Sequence, residues 1–121
     1  MVATTSESTP VRIDADGVQV RTREIGGDLT VCFVRLPAGT DLGPALVGLP
    51  DDLCTCPHWG YLLSGRIDVR TADGQETYRG GDAFYWPPGH APIAVEDSTY
   101  VDFSPSTALA EVLAHLTGGA A

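Results

Sequence analysis

The sequence predicts an all-β fold, a sandwich or barrel of short strands closed by one C-terminal helix. Three observations carry this. Short runs that alternate apolar and polar residues recur along the chain. Turn formers, 14 glycines and 9 prolines among 121 residues, are spread throughout and not gathered in one linker. Only the last segment places apolar residues at helical spacing.

In chain order, residues 1–10 (MVATTSESTP) read as a flexible tail, and residues 11–121 as a single domain large enough to bury its own core. Val18 to Glu24 alternates as a half-buried strand, and Gly26-Gly27-Asp28 turns the chain. Leu29 to Leu36 is richer in β-branched and aromatic residues and ends at Pro37. Ala45-Leu46-Val47 reads as a short strand and Pro50-Asp51-Asp52 as a turn. Tyr61 to Leu63 is extended, Gly65 bends the chain, and Arg66 to Thr71 alternates cleanly. Asp73-Gly74 is a hairpin signal that returns the chain as Glu76 to Arg79. Ala83 to Trp86 is a short aromatic strand, stopped by Pro87-Pro88-Gly89. Pro92 to Val95 and Thr99 to Phe103 complete the strands. Ser104 as N-cap and Pro105 at the first position then open a helix. Its apolar face is Leu109, Val112, Leu113 and Leu116, expected to pack on the outside of the β-structure, with Gly118-Gly119 as the stop. His115, in the last turn, complements the helix dipole.

Composition narrows the function. The formal charge is −9, from 16 acids against seven arginines. Such a surface repels phosphate backbones, so no nucleic-acid partner is expected. No apolar run approaches the roughly 20 residues of a membrane span, and the first residues lack a signal-peptide pattern. A cytoplasmic protein is expected, with no membrane partner. Three cysteines, Cys32, Cys54 and Cys56, are an odd number and argue against a disulfide framework. Cys32, in the run TVCFVRL, reads as a small core residue.

Tyr61-Leu62-Leu63-Ser64-Gly65-Arg66 resembles the first signature of the cupin superfamily. Gly80-Gly81-Asp82 through Pro87-Pro88-Gly89-His90 resembles the second, and the Asp-Gly hairpin falls where cupins carry a variable insert. The resemblance implies a small jelly-roll β-barrel, often a homodimer. In metal-binding cupins three histidines and a glutamate hold one divalent metal. Carried onto this sequence, the glutamate falls on His58 and the His-x-His pair on Asp52 and Cys54. The last histidine falls on Pro92, with His90 two residues earlier. The usual ligand set is therefore not inherited. The stretch around Cys54 is similar to a group of single-domain cupins with a Cys-x-Cys-Pro-His-Trp-Gly-Tyr signature.

A different set follows from chemistry. On a strand, alternate side chains share a face, so Cys54, Cys56 and His58 would project together. Should that face be the barrel interior, His90 from the second motif completes a tetrahedron of two sulfurs and two nitrogens. The expected metal ligands are Cys54, Cys56, His58 and His90, with zinc first and ferrous iron second as the divalent metal. Against this stands the reading of buried cysteines and backbone-bonded histidines with no metal. Trp59, Tyr61, Tyr85 and Trp86 read as core or rim packing, and Asp82 as a turn residue. The expected function is a metal-binding cupin with a pocket for a small-molecule ligand in the barrel mouth, with a metal-dependent enzyme left open as its use. The alternatives are a non-catalytic ligand-binding or sensory cupin with a structural zinc, and a metal-free cupin binding an apolar ligand. No catalytic residue can be named from the sequence.

Overall fold

The computed structural model describes residues 1–118. Its strands are β1 (Val11–Ala15), β2 (Val18–Gly26), β3 (Leu29–Leu36), β4 (His58–Ser64), β5 (Arg66–Thr71), β6 (Gly74–Arg79), β7 (Ala83–Trp86), β8 (His90–Ala94) and β9 (Ser98–Pro105). Among the described residues there are two α-helices, α1 (Gly43–Leu46) and α2 (Ser106–Leu116), and a short 3-10 turn at Pro50–Asp52. The strands form two antiparallel sheets of six and three strands, in the orders β1-β2-β3-β9-β4-β7 and β6-β5-β8. The fold is all-β, as the alternation requires; the two sheets are not hydrogen-bonded into one closed barrel. Leu36, Leu62, Ile67 and Trp86, drawn from both sheets, are buried in a core shared between them.

Gly65 shows why the turns are written as they are. It sits at φ +96°, and a Cβ there would collide with the Asp97 carbonyl and Ser98 Oγ. Only glycine allows the chain to pass from β4 to β5 this close to the start of β9.

The structure corrects the sequence reading in three places. Ala45–Val47 is not a strand: Gly43–Leu46 is a helical turn with a proline in its first positions, where the missing N–H costs nothing. Ser104 is not the helix N-cap: it is the last inward-facing residue of β9, and Pro105 occupies the cap position without a side-chain bond. The apolar face of α2 does not cover an outer surface. Leu109, Val112, Leu113 and Leu116 form a wall of the internal cavity. His115 does serve a structural role, with its Nε2 2.9 Å from the Val47 carbonyl, which ties α2 to the segment after α1. Gly118 follows the helix at φ +94°, while Gly119 lies outside the described residues.

Within the first ten residues, Arg23 donates to the Ser8 carbonyl at 2.9 Å and Arg21 to the Thr9 carbonyl at 3.0 Å. Val11–Ala15, inside the expected domain, adds an edge strand that the sequence reading did not separate. Among the described residues no helix is long and apolar enough to cross a membrane.

Candidate metal centre

Two backbone features bring the two sequence clusters together. Cys54 forms an isolated antiparallel bridge with His90, its N–H donating to the His90 carbonyl at 2.9 Å. The tight turn before β8 returns the contact, with Gly89 N–H donating to the Cys54 carbonyl at 2.7 Å. This fixes Cys54 beside the start of the three-stranded sheet. His58 opens β4 in the six-stranded sheet, paired with Trp86 of β7. The centre therefore spans the gap between the sheets.

Cys54, His58 and His90 each offer one ligand atom, and these lie within 4.8 Å of one another. Cys54 Sγ is 3.7 Å from His58 Nε2, and the two imidazole centroids are 4.9 Å apart.

Hydrogen bonding settles which nitrogen each ring presents. His90 Nδ1 lies 2.7 Å from the Pro87 carbonyl, which can only accept, so Nδ1 carries the proton. His58 Nδ1 lies 2.7 Å from Ser104 Oγ. Ser104 Oγ in turn donates to Asp102 Oδ1 at 2.8 Å, so it must accept from His58 Nδ1. Both rings are thereby held as the tautomer with a free lone pair on Nε2. Fixing a ring through its other nitrogen is the usual support of a metal-ligating histidine.

Electrostatics agree. Burial holds His58 down at about 4, and burial followed by the neighbouring His58 holds His90 down at about 4. Both are neutral near pH 7, the form that binds a metal. Burial pushes the Cys54 thiol up to about 11, so without a metal it stays protonated. A bound cation would displace that proton. Burial also raises Asp102 to about 6, opposed by the hydrogen bond from Ser104.

Cys56 does not join the other three. The chain bends at Cys56 instead of running extended, so the expected alternation is broken between Cys54 and His58. The Cys56 carbonyl, not its thiol, faces Cys54, at 3.8 Å from its sulfur. The Cys56 thiol, fully buried, lies 3.4 Å from the Pro57 carbonyl and beside Ser104, and is not one of the three clustered ligand atoms. The donor set that fits a divalent ion is therefore one sulfur and two nitrogens. Cys32 is also a core residue, and burial with the adjacent Asp102 pushes its thiol far above the ordinary range.

Asp102 is not singled out in the sequence and Ser104 is read there only as a helix cap, yet both are buried polar residues beside the candidate ligands. A signal was present. In β9 the inward residues Ser98, Tyr100, Asp102 and Ser104 are the more polar set, and Val101 and Phe103 point outward. In β4, Trp59 and Tyr61 are exposed on the outer face, where they stand with Tyr85 of β7. Of the four aromatics read as packing, only Trp86 is in the core. A strand whose inner face is the polar one marks a lined site, not a solvated face.

Above the centre lies a cavity of about 250 Å³. Cys54, His58, His90 and Asp102 are among the polar residues that line it. The rest of its lining comes from β1, β2, β3 and both helices, with Trp86, Pro92 and Tyr100 from β7, β8 and β9, and is mostly apolar.

No family model matches the sequence, and no curated protein does. Solved structures match in fold. An RmlC-like cupin from Shewanella frigidimarina NCIMB 400 has a TM-score of 0.60 at 16% identity, covering 84% of this chain and 88% of that one. KdgF from Halomonas sp. has a TM-score of 0.61 at 25% identity, covering 84% and 90%. The polyketide cyclase RemF from Streptomyces resistomycificus has a TM-score of 0.64 at 14% identity, covering 88% and 80%.

Proposed function

Starting from a chain with the small cupin fold, we propose that it binds one divalent metal through Cys54, His58 and His90 and acts as a metal-dependent enzyme on a small molecule held in the cavity. The observation that carries the reading is the pair of tied Nδ1 atoms, which leaves both Nε2 lone pairs beside the Cys54 sulfur. One thiolate and two imidazoles suit zinc first and ferrous iron second. Three protein ligands, not four, leave a coordination position for water or substrate, the pattern of catalytic and not structural zinc. When bound, such a metal supplies Lewis-acid polarisation or an activated water.

The chain's own groups do the rest. Ser104 holds the His58 tautomer, and Pro87 holds that of His90. The mostly apolar walls orient the ligand and exclude water. Asp102, lining the cavity and titrating at about 6, can hold or release a proton beside the bound molecule. The names of similar structures include a polyketide cyclase, which supports an enzymatic use of this fold.

Cobalt(II) substitution tests the reading. A thiolate-to-cobalt charge-transfer band is expected in the wild type and in Cys56→Ser, and its loss in Cys54→Ser. Added imidazole should shift the visible cobalt bands by occupying the open position. A band that persists in Cys54→Ser, or a cobalt spectrum indifferent to imidazole, contradicts the reading.

A further inference from the structure

We infer that the cavity takes a neutral, largely apolar molecule of roughly ten non-hydrogen atoms, with a single electron-pair donor directed at Cys54, His58 and His90. The direction of the donor rests on the metal-centre reading above; the apolar character and the size do not.

The size follows from volume. A cavity of roughly 150 Å³ accommodates benzene, and this one is about 250 Å³. Scaling from six atoms gives about ten.

The chemistry follows from what the walls lack. None of the seven arginines lines the cavity, and the oxygen acids that do are Asp102 and the Tyr100 phenol. A carboxylate or phosphate ligand would lose its hydration, find no cation along the walls, and lie near a second acid. Burial of an unpaired charge is strongly unfavourable. A sugar fares little better, because each buried hydroxyl needs a hydrogen-bond partner. Val20, Leu36, Val112 and Leu113 offer only hydrocarbon. The polar groups of the lining are few, and three of them, Cys54, His58 and His90, are clustered, so the ligand's electron-pair donor belongs against that cluster. The rim is also apolar: Ile13 and Val18 on one side and Leu116 on the other are partly exposed. A partly exposed apolar rim favours entry of a molecule that itself gains by leaving water.

The test compares 4-isopropylphenol, 4-hydroxybenzoate and glucose by calorimetry on the metal-free wild type, with cobalt(II) titrated separately. The two phenols have equal numbers of non-hydrogen atoms and differ at the far end, an isopropyl group against a carboxylate. The phenol with the isopropyl group is expected to bind at least tenfold tighter, and glucose not at all. Equal or tighter binding of 4-hydroxybenzoate, or binding of glucose, overturns the assignment. Val112→Trp, or Leu116→Trp at the rim should the first variant not fold, is expected to remove binding of 4-isopropylphenol. Unchanged binding in a folded variant places the ligand elsewhere and overturns it too. On the cobalt-loaded protein 4-isopropylphenol is expected to alter the visible bands; an unaltered spectrum overturns the direction given to the donor. Cobalt binding without selectivity among the probes refutes the ligand class and leaves the metal centre standing. Selectivity without cobalt binding does the reverse.

Discussion

Ser104 carries more of the site than its size implies. Its hydroxyl accepts from His58 Nδ1 and donates to Asp102, so it links an imidazole to a buried carboxylate. Ser104→Ala removes both bonds and leaves the ring free to change tautomer. Metal affinity is expected to fall roughly 10- to 100-fold, the usual effect of losing a ligand's supporting bond. A competition titration with a chelator measures it; unchanged affinity would show that the ring needs no such support. Cys54 supplies a second prediction. Both histidines are already neutral near pH 7, while the Cys54 thiol, raised to about 11 by burial, still holds its proton. Metal binding must release about one proton per ion, so affinity rises with pH through the neutral range until the thiol itself ionises. Calorimetry in buffers of different ionisation enthalpy counts the protons; a count of zero removes the thiolate. At this scale the convergence of Cys54, His58 and His90 was legible because few residue types bind metals and the two motifs carrying them were expected to meet. Asp102 was not, since an acid on a strand ordinarily faces water, and Ser104 was not, since a serine before a proline reads as a helix cap.

Among the elements, the segment from Cys54 to β4 decides which cysteine can serve. A straight strand would have put Cys54, Cys56 and His58 on one face. The bend at Cys56, next to a proline that cannot donate to a ladder, leaves its sulfur buried near Ser104 but outside the cluster of Cys54, His58 and His90. Alternation is a property of regular strands, so it read β5 and β7 to the residue and failed at an irregular entry. Helix α2 was legible from its apolar spacing, but what that face covers depends on tertiary packing. Gly60 shows how tightly β4 is set between its neighbours. A Cβ there would lie 2.5 Å from Phe84 Cζ and from the Val101 carbonyl oxygen, and 2.9 Å from Asp102 Cβ. One of these is backbone of the adjacent strand and cannot swing aside. Gly60→Ala is expected to cost about 1–3 kcal/mol, the range for an overpacked core. It should also weaken metal binding by displacing Asp102. Denaturant unfolding and a metal titration check the two halves; wild-type values in both would show that the strands part freely.

For the whole molecule, the all-β class was legible because strand alternation and turn residues are local signals, while its division into two unclosed sheets was not. How the sheets face one another is not local. It is this facing that sets His58 of one sheet against Cys54 and His90 at the edge of the other. The apolar cavity has the same origin, since its walls come from segments far apart in the chain. The most direct measurement is the metal content of chain purified without added metal, by elemental analysis, for the wild type and single variants. One divalent ion per chain is predicted in the wild type and in Cys56→Ser, with loss in Cys54→Ser, His58→Ala and His90→Ala. Full occupancy in those last three, or loss confined to Cys56→Ser, would contradict the site described here.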